Sequence, residues 1–268
     1  MSARAEFERF RPVDPAVLKR LTADKYGDPP TGWGPATRRR FGYYTPEEVY
    51  ESVLDRLIGA GCRWLDVGCG RDPLPGNRSL AKELSERCGT LVGVDPDPAI
   101  HENPYAHVRV QGRVDEMEVS EFDVITARMV VEHVPDPGVF VTTLRRLCAR
   151  NGVVVIYTVN KWAPVSIVSS LIPFPFHQRI INFLWGTGRE TFPVEYRMNT
   201  RGDLSALMRD AGFEEATFAY LDDCRTFGRF QFANLLELLL WKGLNAIRLP
   251  YPETCLLGIY RRADDLNA

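Results

Sequence analysis

"RWLDVGCGRDPLPGN", Arg63 to Asn77, decides the fold. Trp64, Leu65 and Val67 form an apolar run that reads as a buried strand, and Gly68-Cys69-Gly70 is the tight turn that ends it. In open α/β sheets a ligand sits at such a strand end. A dinucleotide loop is written G-x-G-x-x-G, with the helix following at once. Here Pro73 stands where the third glycine belongs, and Pro75 and Gly76 push the next helix back to about Asn77 or Ser79. Asp66 precedes the first glycine. A carboxylate there repels pyrophosphate. The loop therefore calls for a ligand without phosphate and with a cationic end, and Asp72 should lie near that end.

Outward from this loop, strands and helices alternate. "TLVGV" (90–94), "AHVRV" (106–110), "FDVITA" (122–127) and "VVVIYTV" (153–159) are further apolar strands. "TPEEVYESVLDRLIGAG" predicts a helix capped by Thr45, with Pro46 in its first turn. "SLAKELSERCG" (79–89) and "PGVFVTTLRRLCARNG" (137–152) predict two more. Continuous apolar strands joined by helices predict a doubly wound, mostly parallel sheet covered on both faces. After residue 160 come an apolar, proline-punctuated stretch, a helix in 199–213, a strand at 214–220, a long apolar helix at 230–247 and a last strand at 255–263. Residues 1–44 read as an N-terminal cap segment with one helix at 14–24.

Composition narrows the function. The chain has 268 residues, 45% hydrophobic and 25% charged, with net charge −2. That argues against nucleic acid as a partner, because nucleic-acid binders carry a basic footprint. Six scattered cysteines form no C-x-x-C pair and no metal spacing, which predicts reduced thiols in a cytoplasmic protein and no metal. The charged N-terminus is not a signal peptide. "APVSIVSSLIPFPF" (163–176) contains three prolines and falls short of the roughly 18 residues a membrane span needs, so no transmembrane segment is expected.

S-adenosyl-L-methionine (SAM) fits the ligand described above: it carries an amino group and a sulfonium, and no phosphate. Gly68 and Gly70 let the backbone approach it. Asp95, at the tip of the second strand and followed by Pro96, can accept both ribose hydroxyls. "LDVGCGRD", "VGVDPDP" and "FDVITARMVVEHVPDP", in this order and spacing, resemble class I SAM-dependent methyltransferases, most of all the small-molecule branch that includes quinone-biosynthesis enzymes. The resemblance covers residues 45–160. It implies a seven-stranded sheet ordered 3-2-1-4-5-7-6 with strand 7 antiparallel.

The resemblance also implies roles. Asp66, Gly68, Cys69, Gly70, Asp95 and Pro96 hold the cofactor. Val114 supplies a backbone contact near adenine, with Asp115 as an alternative, because Arg113 occupies the place of the family's usual Asp. Ala127 and Arg128 meet the methionine end, where Arg128 can also hold a carboxylate or simply lie at the surface. His133 is the candidate base for an acceptor hydroxyl, or else a loop hydrogen-bonding residue. Glu132, Tyr44, Tyr196 and Arg197 are candidate substrate contacts. Tyr43 either touches the methionine end or packs. His177 faces the acceptor or solvent.

The expected function is methyl transfer to a small-molecule acceptor, with oxygen favoured. Two alternatives stay open: a catalytically silent SAM-binding or scaffold protein of the same fold, and a methyltransferase acting on a lipid-linked substrate at a membrane surface. Residues 45–268 form the methyltransferase domain, with insertions at about 160–198 and 225–250. These insertions can serve as a lid, a peripheral membrane face, a homodimer interface or plain core.

Overall fold

The computed structural model describes residues 9–164, 166–167 and 194–263. Its strands are β1 (Arg63–Val67), β2 (Thr90–Asp95), β3 (Val108–Gln111), β4 (Phe122–Arg128), β5 (Cys148–Val159), β6 (Phe213–Asp222) and β7 (Glu253–Arg262). They form one sheet ordered β3-β2-β1-β4-β5-β7-β6. The first five are parallel, and β7 runs antiparallel to both β5 and β6. The order and the single reversed strand are those the sequence resemblance implies.

Side-chain alternation divides the core into two layers. Trp64, Val124, Val155 and Tyr157 point to one face, where they meet α1 (Pro15–Tyr26), α3 (Pro46–Leu57) and α4 (Arg78–Arg87). Leu65, Val67, Ile125 and Ile156 point to the other, against α5 (Pro137–Leu147) and α6 (Arg201–Asp210). α3 carries the reciprocal cap that Thr45 promised: Thr45 Oγ1 accepts from Glu48 N, and Glu48 Oε2 accepts from Thr45 N at 2.8 Å. α4 starts late, at Arg78, because Asn77 caps it by accepting from Leu80 N.

Two expectations need correction. The N-terminal region holds a second helix, α2 (Trp33–Phe41). Gly32 is its N-cap, Gly34 and Pro35 fall in its first turn, and Gly42 is the left-handed C-cap at φ 69°. The helix expected over 137–152 stops at Leu147. Cys148 and Ala149 instead enter β5, where Cys148 pairs with Phe122. Asn151, at φ 58°, and Gly152 then make a bulge so tight that a β-carbon on Gly152 would lie 2.7 Å from Cys148 Sγ.

The register fixes where the β6–β7 connection lies. Val159 pairs with Cys255, and Asp222 with Glu253. Residues 223–252 therefore leave from the same sheet edge as the glycine loop. They contain α7 (Gln231–Ala246). Among the described residues no helix is long and apolar enough to cross a membrane.

Candidate functional site

The loop after β1 has already spent the amides a phosphate would need. Gly68 N and Cys69 N donate to Val94 O at 2.8 and 3.4 Å, and Gly70 N donates to Asp95 Oδ2 at 2.9 Å. A phosphate-binding loop keeps such amides free for the anion. Gly68 and Gly70 sit at φ 69° and 49°. The Cys69 thiol turns inward, with its Sγ 3.1 Å from Asn103 Nδ2, so only its backbone can face a ligand.

Asp95 Oδ1 accepts from Asp97 N at 2.8 Å, and Oδ2 from Gly70 N. Each oxygen keeps lone-pair capacity for a hydroxyl. Asp66 lies behind the loop, 3% exposed, and accepts from Thr126 Oγ1 at 2.5 Å. Burial pushes its carboxyl up to about 6, against the pull of Thr126, Cys69 and Arg128.

A cleft opens beside Gly68. Val94, Pro96, Val114, Val130, Val134 and Phe140 give it apolar walls, and Asp115 and His133 lie on its rim. Asp115 forms an ion pair with Arg113 at 3.0 Å, which holds its carboxyl below the usual range. Val114 begins a short 3-10 turn after β3. The residues present fit SAM in kind: Gly68 leaves a wall without a side chain, Asp95 keeps acceptor capacity, an apolar cleft lies alongside, and Asp66 is a buried acid.

At the end of β4, Ala127 packs in the core, so its backbone is all it offers a ligand. The positive charge of Arg128 acts on Asp66, Asp72 and Glu132 together. Asp72 accepts from Leu74 N at 2.9 Å and lies 3.5 Å from Arg78. Met129 takes φ 53° and donates to Tyr157 O at 2.7 Å.

Glu132 is 4% exposed, and burial raises its carboxyl. It accepts from Thr158 Oγ1 at 2.9 Å, and Thr158 accepts from Asn199 Nδ2 at 2.8 Å. Glu195 N donates to Glu132 O at 2.7 Å, which ties the 194–200 return to this point. Tyr196, at φ 51°, is half-buried, and its hydroxyl bonds Ser166.

Other candidate residues fall elsewhere. Tyr43 packs: its hydroxyl donates to Asp222 O and accepts from Cys224 N, and its ring meets Trp241 edge-on at 5.1 Å. Tyr44 lines a separate small cavity among α1, α2 and the start of α3, with Tyr26, Arg38 and Glu48. Arg197 is exposed and pairs with Glu195 at 3.3 Å. His177 lies outside the described residues.

Three supporting residues escaped the sequence reading. Asn103, fully buried, donates to Gly70 O at 3.0 Å and accepts from Tyr105 N and Ala106 N. Thr126 holds Asp66. Glu51 joins Lys25 of α1 to Asn77 at 2.7 and 2.9 Å, tying the N-terminal helices to the loop. Nothing local in the sequence marks any of them.

A family model for the methyltransferase domain matches residues 36–216. A ubiquinone biosynthesis O-methyltransferase of Azorhizobium caulinodans is 31% identical over 170 residues, covering 59% of this chain and 61% of that protein. One of Bradyrhizobium diazoefficiens is 33% identical over 111 residues, covering 38% and 41%. The chain thus spans between 41% and 61% of the length of these two curated relatives.

Among solved structures, the geranyl diphosphate C-methyltransferase of Streptomyces coelicolor A3(2) aligns with TM-score 0.50 at 15% identity, over 80% of this chain and 75% of that one. The [4+2]-cyclase SpnF aligns with TM-score 0.50 at 13% identity, over 83% and 85%. At such identities the likeness is one of fold. With a family match running through the glycine loop, Asp95 and the β4 end, this chain belongs to the methyltransferase domain family.

Proposed function

We propose that the chain is a SAM-dependent methyltransferase that acts on an oxygen of a small-molecule acceptor. The observation that carries this reading is the glycine loop, whose Gly68, Cys69 and Gly70 amides are bonded within the protein, the last of them to Asp95. Asp66 serves the ammonium group, and Gly68 to Gly70 the close backbone approach. Asp95 holds the ribose diol, and Pro96, Val114 and the valines around them enclose adenine. Arg128 suits a carboxylate at the methionine end.

SAM supplies a methyl group on a positively charged sulfur. The protein's work is to orient an acceptor oxygen, keep water out, and remove the acceptor's proton. His133, on the cleft rim next to the buried Glu132, is the base in this reading, taking the proton at an imidazole nitrogen. Tyr196 forms part of the acceptor wall. Oxygen as the acceptor atom is supported by the O-methyltransferase names of the relatives. Residues 1–44 act as a cap on a domain spanning 45–268.

Calorimetry with SAM, S-adenosylhomocysteine and NAD tests the reading. Binding of the first two, and not NAD, supports it; NAD bound in preference overturns it. His133→Ala is expected to lower kcat with S-adenosylhomocysteine affinity unchanged. An unchanged kcat removes His133 from the role.

A second reading, a lipid-linked acceptor, is favoured by α7. This helix buries Asn234, Glu237 and Leu238, while Phe232, Leu236, Leu239 and Leu240 are 50–74% exposed. Its exposed face is thus apolar where an amphipathic helix carries polar residues, and an exposed apolar face is a contact surface. Flotation with vesicles of anionic and neutral lipid separates the two readings: a protein that never floats acts on a freely soluble acceptor.

A further inference from the structure

We propose that Thr126, itself aimed by Trp64, is the positioning residue for Asp66, fixing one carboxylate oxygen so that the other faces the ligand held by the glycine loop. This rests on the reading of that loop as the SAM site. Trp64, Asp66 and Thr126 share one face of the sheet. Trp64 and Asp66 are two apart on β1, and the parallel register sets Asp66 beside Thr126 on β4. Trp64 and Thr126 are fully buried, and Asp66 nearly so.

The donor inventory fixes the direction of the chain. An indole N–H can only donate. Trp64 Nε1 donates to Thr126 Oγ1 at 2.8 Å. The threonine has one proton to give, with Asp66 Oδ1 at 2.5 Å and Leu65 O at 3.3 Å as its acceptors. The shorter distance and the carboxylate's charge select Asp66. A serine hydroxyl can do the same, and a valine cannot.

The groups that face Asp66 are Tyr50 from α3, Cys69 from the loop, Asp95 at the tip of β2 and Arg128 at the end of β4. The Tyr50 hydroxyl is buried beside Thr126, with no partner at hydrogen-bond geometry. Burial favours the neutral acid, and the bond from Thr126 favours the carboxylate. Loss of that bond raises the pH at which Asp66 takes up a proton and stops attracting an ammonium group.

The test is calorimetric titration of S-adenosylhomocysteine across about pH 5 to 8.5, with wild type, Thr126→Val, Thr126→Ser and Trp64→Phe. Wild-type affinity should fall below a pH of about 6. Thr126→Val should move that fall upward by about one pH unit, which weakens binding about twofold at pH 7 and about tenfold at pH 5. Thr126→Ser should restore the wild-type profile, and Trp64→Phe should shift it in the same direction by less. A merely structural role would lower the melting temperature without moving the pH profile. Wild-type profiles in Thr126→Val and Trp64→Phe overturn the relay while leaving the cofactor reading intact. If Thr126→Val does not fold, Trp64→Phe alone decides. A wild type that binds at no pH overturns the cofactor reading, and the relay with it.

Discussion

Gly68 and Val130 approach so closely that a β-carbon on residue 68 would lie 2.3 Å from Val130 Cγ2. The same glycine sits at φ 69°, which costs an L-residue about 1–2 kcal/mol. Gly68→Ala therefore meets two obstacles, overlap and backbone strain. We expect it to abolish S-adenosylhomocysteine binding and lower the melting temperature. Adding Val130→Ala should relieve the overlap alone and recover part of the stability. Full recovery in the double variant would show that the backbone conformation carries no penalty.

Asp66 costs stability when it is ionised. Its folded carboxyl, near 6, lies above its ordinary value of 3.8. The folded state thus holds the extra proton between those values, and stability falls as pH rises through that window. Above it, the ionised acid costs about 3 kcal/mol. Asp66→Asn keeps an acceptor for Thr126 and removes the charge. It should be more stable than wild type near pH 8, little different near pH 4, and weaker in binding S-adenosylhomocysteine. Urea midpoints at both pH values check this, and a variant less stable at pH 8 contradicts it.

Asp95 has two tasks, Gly70 N and the proposed ribose diol. Asp95→Ala should weaken S-adenosylhomocysteine by about 1–3 kcal/mol. Asp95→Asn, which still offers one carbonyl oxygen, should fall between. Calorimetry measures both, and equal losses would mean that the charge matters and the acceptor geometry does not.

The buried Asn103 supports the loop from beneath, bonding Gly70 O, Tyr105 N and Ala106 N. Asn103→Ala leaves these groups unpaired in the interior. A loss of about 2–4 kcal/mol is expected, with binding weakened as the loop loosens. Denaturant unfolding reads the first and calorimetry the second. A variant as stable as wild type would show that water replaces the amide.

What the sequence disclosed and what it hid follow from range. Asp66 and Asp95 stand at strand tips beside their own glycines and turns, so a local reading reaches them. Thr126 looks like any β-branched strand residue until parallel pairing sets it beside Asp66, 60 positions away. Tyr43 bonds a carbonyl 179 residues further on, and no local pattern distinguishes that from a ligand contact. Helix α2 is hidden because Gly32, Gly34 and Pro35 look like helix breakers, whereas Gly32 is its N-cap and the other two fall in its first turn. At the acceptor side, the apolar stretch after residue 160 narrows the chemistry only to something apolar, since burying greasy side chains serves lid, interface and core alike.

The reversal of β7 bears on how the chain can be re-engineered. Because β7 runs against β5, the β6–β7 connection returns to the edge that carries the glycine loop. Residues 223–252 can then be lengthened, shortened or exchanged with no change to β1, β2 or β4. Chimeras cut at Asp222 and Glu253 would exchange this connection while leaving the strands that carry the glycine loop in place.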